Sequence, residues 1–413
     1  MRVTVVGLAS SIHGEEYYVE LYRRLTSIYS GWDNVTVYEE PITKYAEIDR
    51  GYDVYFVIHL TGGTSSLAYQ LFNKIKKPVV LFASGEHNAL ASALSARAKL
   101  IDSGIKTLLI NYVDLDDFRA KNEAVYKALV AADKLSNLYI LEVNRDGRVS
   151  SGAQEYMKMI GGRVEAISYR ELLDRAIEAS IGEVEELIND ISKYYVVASD
   201  HSKVEKVARI TYALLKLVEE KGYDAVSIDC FPLIIEYGVT PCLAVSYLTA
   251  KGTPVICEDD FYSLPLMFIA RELTGLSGWI ANPSGSTRDG YLRFAHCTIG
   301  YDLGKECRFV DHFETGRPYA IACTYGFDKV LFGRFTSDYK KLVMYRGRVV
   351  KSGFLSENYC RTQLIIETPG LTPDKFYGGA VGNHHVFIVD KPLARKALEV
   401  ICWWKDWELE WRN

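Results

Sequence analysis

Short apolar runs alternate with longer amphipathic stretches over about the first 160 residues of the chain. The runs predict strands over 3–7, 34–38, 54–59, 78–83, 107–110, 138–143 and 163–167. Stretches with helical spacing of apolar positions lie between them, at 15–29, 65–75 and 89–103. Strands alternating with helices in this way predict a parallel sheet covered by helices. The turn Thr61-Gly62-Gly63-Thr64-Ser65-Ser66 follows a strand and opens a helix, yet it matches neither GxGxxG nor GxxxxGK[ST]. The expectation is a Rossmann-like domain over 1–168 without a nucleotide fingerprint.

A second α/β domain is expected over 169–293. Residues 169–195 and 202–221 read as long helices, and apolar segments follow at 225–228, 242–251, 255–257, 261–273 and 279–281. From about Phe294 the pattern shortens to strands with turn signals, at 320–324, 329–335, 342–346 and 364–367, before a last helix over 393–404. Such a run predicts a β-barrel-like domain over 294–413.

Composition narrows the partners. A net charge of −5 without a block of Lys and Arg gives no footprint for nucleic acid. No apolar run reaches the ~18 residues of a membrane span, and Met1–Gly7 reads as an opening strand rather than a signal peptide, so a cytoplasmic protein is expected. All eight cysteines lie at or after Cys230, without CxxC spacing and often inside apolar runs, which predicts buried reduced thiols. The 29 Tyr and 16 Phe lack basic interleaving and predict packing rather than base stacking.

Candidate chemistry gathers in two places. Cys257-Glu258-Asp259-Asp260 stands where an apolar strand runs into a helix, and Gly382-Asn383-His384-His385 opens a late strand. An acid at a strand's carboxyl edge together with paired imidazoles predicts a divalent-metal site. If 255–257 and 279–281 are parallel strands joined by a helix, Glu258 and Asn282, 24 positions apart, share one sheet edge. Alone, Glu258 is also a favourable helix-start acid, and His296 in its apolar run is also an ordinary core histidine. Asp259 or Asp260 can cap the helix that follows. Arg361 can clamp a substrate oxygen or sit in an internal ion pair, and His312 and Glu314 can line the site or decorate a turn. Asn88, in Ser84-Gly85-Glu86-His87-Asn88, can reach a substrate or cap a helix. Ser199-Asp200-His201-Ser202 has the residue types of a hydrolase triad, but triads are assembled from distant positions.

The runs Thr240–Ala244 and Gly252–Asp260, with Asn282-Pro283-Ser284, Ala295-His296-Cys297, Cys360-Arg361-Thr362-Gln363 and Gly382-Asn383-His384-His385, resemble the L-fucose isomerase and L-arabinose isomerase superfamily. The similarity is to its shorter fucose-isomerase-related members and covers about residues 225–395. It implies a metal-dependent aldose–ketose isomerase acting on an open-chain pentose or 6-deoxyhexose through a cis-enediol, with Mn2+ or another divalent cation. It also implies a homotrimer or homohexamer in which one subunit's N-terminal domain covers the next subunit's cleft. Glu258 then matches the first carboxylate ligand and the base, His296 and His385 match the imidazole ligands, and Asn282 stands where the second carboxylate is expected. An amide oxygen can bind a hard cation but cannot carry a proton. His384 is then expected to orient His385, and Asn383, His384, Asp260, Arg361 and Asn88 to meet the sugar. A related lyase or epimerase, or a sugar-binding protein without catalysis, are the alternatives.

Overall fold

The computed structural model describes residues 1–413, which divide into two compact units, Met1–Tyr126 and Lys127–Asn413. In the first, strands β1 (Val3–Leu8), β2 (Val35–Val37), β3 (Val54–His59), β4 (Val79–Ser84) and β5 (Thr107–Tyr112) form one parallel sheet in the order β2-β1-β3-β4-β5. Every residue of β1, β3 and β4 is buried, which is why these strands are continuous apolar runs in the sequence. The strand order reverses between β1 and β3, and the glycine turn lies at the carboxyl end of β3. A Cβ on Gly62 would come within 2.9 Å of the Asn88 Cβ, so close approach of two loops accounts for that glycine.

The second unit holds β6 (Tyr139–Asn144), β7 (Arg163–Ser168), β8 (Tyr195–Val196), β9 (Ala225–Ile228) and β10 (Val255–Cys257). Four of these make a parallel sheet in the order β10-β9-β6-β7. The expected boundary at 168 therefore differs from the observed one. Strands β6 and β7 pair with the later strands, because a strand–helix alternation carries no record of which sheet a strand joins. The stretch 169–195 is two helices, Tyr169–Glu178 and Ile181–Ile191, each started by its own capping box, Ser168 with Glu171 and Ser180 with Glu183.

The remaining strands are β11 (Trp279–Ser286), β12 (Leu292–His296), β13 (Gly304–Val310), β14 (Ala320–Tyr325), β15 (Lys329–Phe335), β16 (Lys341–Gly353), β17 (Thr362–Glu367), β18 (His385–Val389) and β19 (Glu408–Trp411). Six of them close into an antiparallel barrel, β15-β18-β11-β12-β17-β16 and back to β15. Closure leaves these strands without a free edge. Two expectations are corrected here. Strand β11 is not a parallel neighbour of β10: β12 and β18 occupy both its sides, so Glu258 and Asn282 do not share a sheet edge. Nor are all the thiols free, since Cys307 and Cys323 form a disulfide between the neighbouring strands β13 and β14. Cross-strand opposition of this kind is not visible in cysteine spacing. Near the C-terminus Trp407 and Trp411 turn back on their own unit, Trp407 4.7 Å from the Phe335 ring and Trp411 under Arg395. No helix is long and apolar enough to cross a membrane.

Candidate metal centre

Glu258 follows the last residue of β10, and both Glu258 and Asp259 are left-handed, with φ of 58° and 53°. This conformation costs an L-residue about 1–2 kcal/mol, so two in succession require outside support. Asp259 supplies part of it: its Oδ1 accepts the Ser227 hydroxyl from β9 at 2.7 Å. Asp260 N–H donates to the Cys257 carbonyl at 3.2 Å and closes the turn. The turn carries Glu258 off the sheet edge toward the barrel, where His296 ends β12 and His384 immediately precedes β18.

Glu258, His296 and His384 each offer a ligand atom within 4.8 Å of the others'. His296 Nε2 is 3.8 Å from Glu258 Oε1 and His384 Nε2 is 3.6 Å from Oε2. Both imidazoles are almost completely buried, whereas the Glu258 side chain is 30% exposed, so the cluster opens toward solvent on the carboxylate side.

Behind the cluster stands a second layer. Asp260 accepts from His384 Nδ1 at 2.8 Å and from Ser263 Oγ at 2.7 Å, and Arg334 Nη1 donates to it at 3.0 Å. The same Arg334 nitrogen donates to the His384 carbonyl at 2.9 Å. A carboxylate on Nδ1 fixes the ring and leaves Nε2 facing the cluster. Gly382 explains itself in this setting, because a Cβ there would overlap the Arg334 guanidinium. Arg334 was not among the residues singled out from sequence. Its one signal is a lone Arg inside the apolar run of β15.

Electrostatics follow from these contacts. Burial alone would raise Glu258, but His296 and His384 outweigh it and hold the carboxyl well below the usual range. Burial raises Asp260 as well, and His384 and Arg334 bring it below the usual range. For His384 burial acts downward, yet Asp260 and Glu258 together push it up to about 9. His296 is lowered, chiefly by burial.

The other predicted residues fall elsewhere. His385 does not face Glu258; it is buried beside the rings of Phe294, Phe332, Tyr345 and Phe376, and burial lowers it to about 4. Its Nδ1 lies 3.2 Å from the Asn383 carbonyl, so the regular strand, which begins at His385, turns this ring into the core. Asn282 Oδ1 accepts the Asn383 amide at 3.3 Å, which pairs the two amides with each other. Arg361 is committed to the Asp311 carbonyl at 2.7 Å and to Glu357 at 3.3 Å. Asn88 belongs to the first unit, is left-handed at φ 60°, and makes no side-chain capping bond to the helix Ala89–Asp102.

Two buried imidazoles and a carboxylate are a donor set suited to a divalent first-row cation. Both ring nitrogens of His296 and the Nε2 of His384 lack a hydrogen-bond partner, although they are buried. Buried polar groups are ordinarily paired. A cation among Glu258, His296 and His384 would satisfy the two Nε2 atoms at once.

No family model matches the chain. A sulfoquinovose isomerase of Clostridium sp. (strain MSTE9) is 22% identical to it over 229 residues. The match covers 52% of this chain and 50% of that protein, so the chain spans about half the length of the curated relative it matches.

Proposed function

We propose that this chain is a metal-dependent aldose–ketose isomerase acting on an open-chain pentose or 6-deoxyhexose through a cis-enediol. The observation that carries the reading is the convergence of Glu258 with two buried imidazoles whose Nε2 atoms have no hydrogen-bond partner. Similarity to a sulfoquinovose isomerase supports the sugar-isomerase class.

Glu258, His296 and His384 would hold the cation, with Mn2+ the proposed metal. When bound, it supplies positive charge beside the sugar's carbonyl and hydroxyl oxygens. Interconversion moves one proton between neighbouring carbons and a second between their oxygens. Glu258 is ionised throughout the neutral range, which makes it a ready ligand and a base for one of these transfers. Asp260 and Arg334 hold His384 in place, and the burial of both imidazoles keeps water from that side of the site.

Asn282 favours a second reading, a related metal-dependent lyase or epimerase, because its amide cannot carry a proton and is paired with Asn383. Asn282→Asp separates the two: a gain on L-fucose, D-arabinose or L-arabinose supports an isomerase, and no gain supports the alternative. For assembly we propose a homotrimer or homohexamer; light scattering across dilution is the measurement, and a fully active monomer rules it out.

The central test is an isomerisation assay over the aldopentoses, the 6-deoxyhexoses and sulfoquinovose. Activity should vanish on chelation and return with Mn2+, and Glu258→Gln should lower it by at least about a hundredfold. Full activity in metal-depleted protein would sink the reading.

A further inference from the structure

The end of β12 carries more than a candidate ligand. Cys297 follows His296 directly, and Cys360 stands two positions before β17. Strands β12 and β17 are antiparallel neighbours with His296 opposite Thr362, so the two cysteines meet just beyond the last rung of the ladder. Their Sγ atoms are 3.5 Å apart, in an apolar patch shared with Cys242, Ala320 and Val310. Of the six free cysteines, Cys360 alone is not buried. One thiol of the pair therefore meets solvent and the other lies behind it, an arrangement that gives an attacking thiol a resolving partner.

A disulfide needs its sulfurs about 2.0 Å apart, so these two must close by about 1.5 Å. The chain after Cys297 resists that movement. The Cys297 carbonyl accepts the Ile321 N–H at 2.9 Å, the Thr298 hydroxyl donates to the Cys242 carbonyl at 2.8 Å, and the Thr298 carbonyl accepts the Trp279 indole N–H at 2.7 Å. On the other side stands His296, whose ring nitrogens have no hydrogen-bond partner. A pull on Cys297 thus reaches that ring more readily than Thr298, and a metal ligand tolerates a shift of only about 0.2 Å.

We propose that Cys297 and Cys360 form a reversible disulfide site, closed by a low-molecular-weight disulfide, and that closure weakens the metal site by pulling on His296. The second half rests on the metal-centre reading and deepens it. The Cys360 thiolate attacks one sulfur of the small disulfide; a new S–S bond forms to Cys360, the original S–S bond breaks, and its other sulfur leaves as a thiolate. The Cys297 thiolate then attacks Cys360 Sγ, forms the internal bond and expels the second small thiolate. The two protein thiols give up two protons and two electrons, and the small disulfide takes them up as two thiols.

The test reduces wild type and Cys360→Ser with dithiothreitol, desalts them and treats half of each with oxidised glutathione. Peptide mapping by mass spectrometry reads the link, and electron paramagnetic resonance reads Mn2+ affinity. Oxidised wild type should carry the Cys297–Cys360 bridge and bind Mn2+ at least about tenfold more weakly, and dithiothreitol should restore it. In a glutathione redox buffer, saturating Mn2+ should favour the dithiol by the same factor, because the coupling is reciprocal. Cys360→Ser should bind Mn2+ like reduced wild type under both conditions. It keeps Cys307 and Cys323, so a loss of affinity shared by this variant would belong to that other bridge and overturn the proposal. Absence of the Cys297–Cys360 link in the oxidised folded protein, or a link that leaves Mn2+ affinity within about threefold, would overturn it too. If reduced wild type binds no Mn2+, the metal-centre reading falls and the effect on His296 falls with it, whether or not the bridge forms.

Discussion

His384 and His385 are neighbours in sequence with opposite surroundings, one between two carboxylates and the other among four aromatic rings. His384→Gln should therefore weaken Mn2+ binding by more than about tenfold, and His385→Gln should leave it within about threefold while lowering stability. Calorimetric titration separates them, and the reverse ranking would restore His385 as the ligand. The sequence marks the pair but not the member, because only the first residue of β18 decides which ring turns into the core. Asp260 was legible as an acid at a helix start, whereas its bonds to Arg334 and His384 cross 74 and 124 positions and leave no local trace. In the first unit, burial lowers His59 to about 3, and its Nε2 has no hydrogen-bond partner. The unfolded chain, with an ordinary imidazole near 6.5, binds the proton first, so stability is retained above about pH 6.5 and declines as pH falls toward 3. The slope from this one group approaches ~1.4 kcal/mol per pH unit. Urea unfolding of wild type and His59→Gln across this range should show a shallower decline in the variant; parallel curves would show that His59 does not contribute.

At the scale of elements, the strands buried on both faces were read closely from their apolar runs, and β3 and β15 match their expected bounds. Partnership was not readable. Strand β11 was expected beside β10, but its pattern of apolar residues suits a barrel wall equally well, and only the neighbours β12 and β18 distinguish the two. Phe332 stacks on Phe387 at 5.0 Å and on Tyr345 at 5.1 Å within the barrel, so Phe332→Ala should cost about 3–5 kcal/mol of unfolding free energy. A loss under about 1 kcal/mol would mean that the ring is not part of a close-packed core. Gly382→Ala acts at longer reach. By displacing Arg334 from Asp260 it should lower Mn2+ affinity by roughly 10–100-fold, an effect that a purely local clash would not produce.

For the whole molecule, the candidate metal ligands lie entirely within the second unit, but they come from two different architectures. Glu258 leaves the edge of a parallel sheet, and His296 and His384 belong to barrel strands or their approaches. A cation that binds only the folded unit should raise its stability by about 2.7 kcal/mol at a hundred times Kd. The sequence hinted at this assembly through its separated motifs but could not show that sheet and barrel meet at the turn after β10. The long chain separations also impose an order in time. Loop closure over more than a hundred residues places the ligand set late in folding, after both sheet and barrel have formed. Mn2+ should accordingly leave the refolding rate unchanged and slow unfolding, so that the finished unit is clasped shut from within.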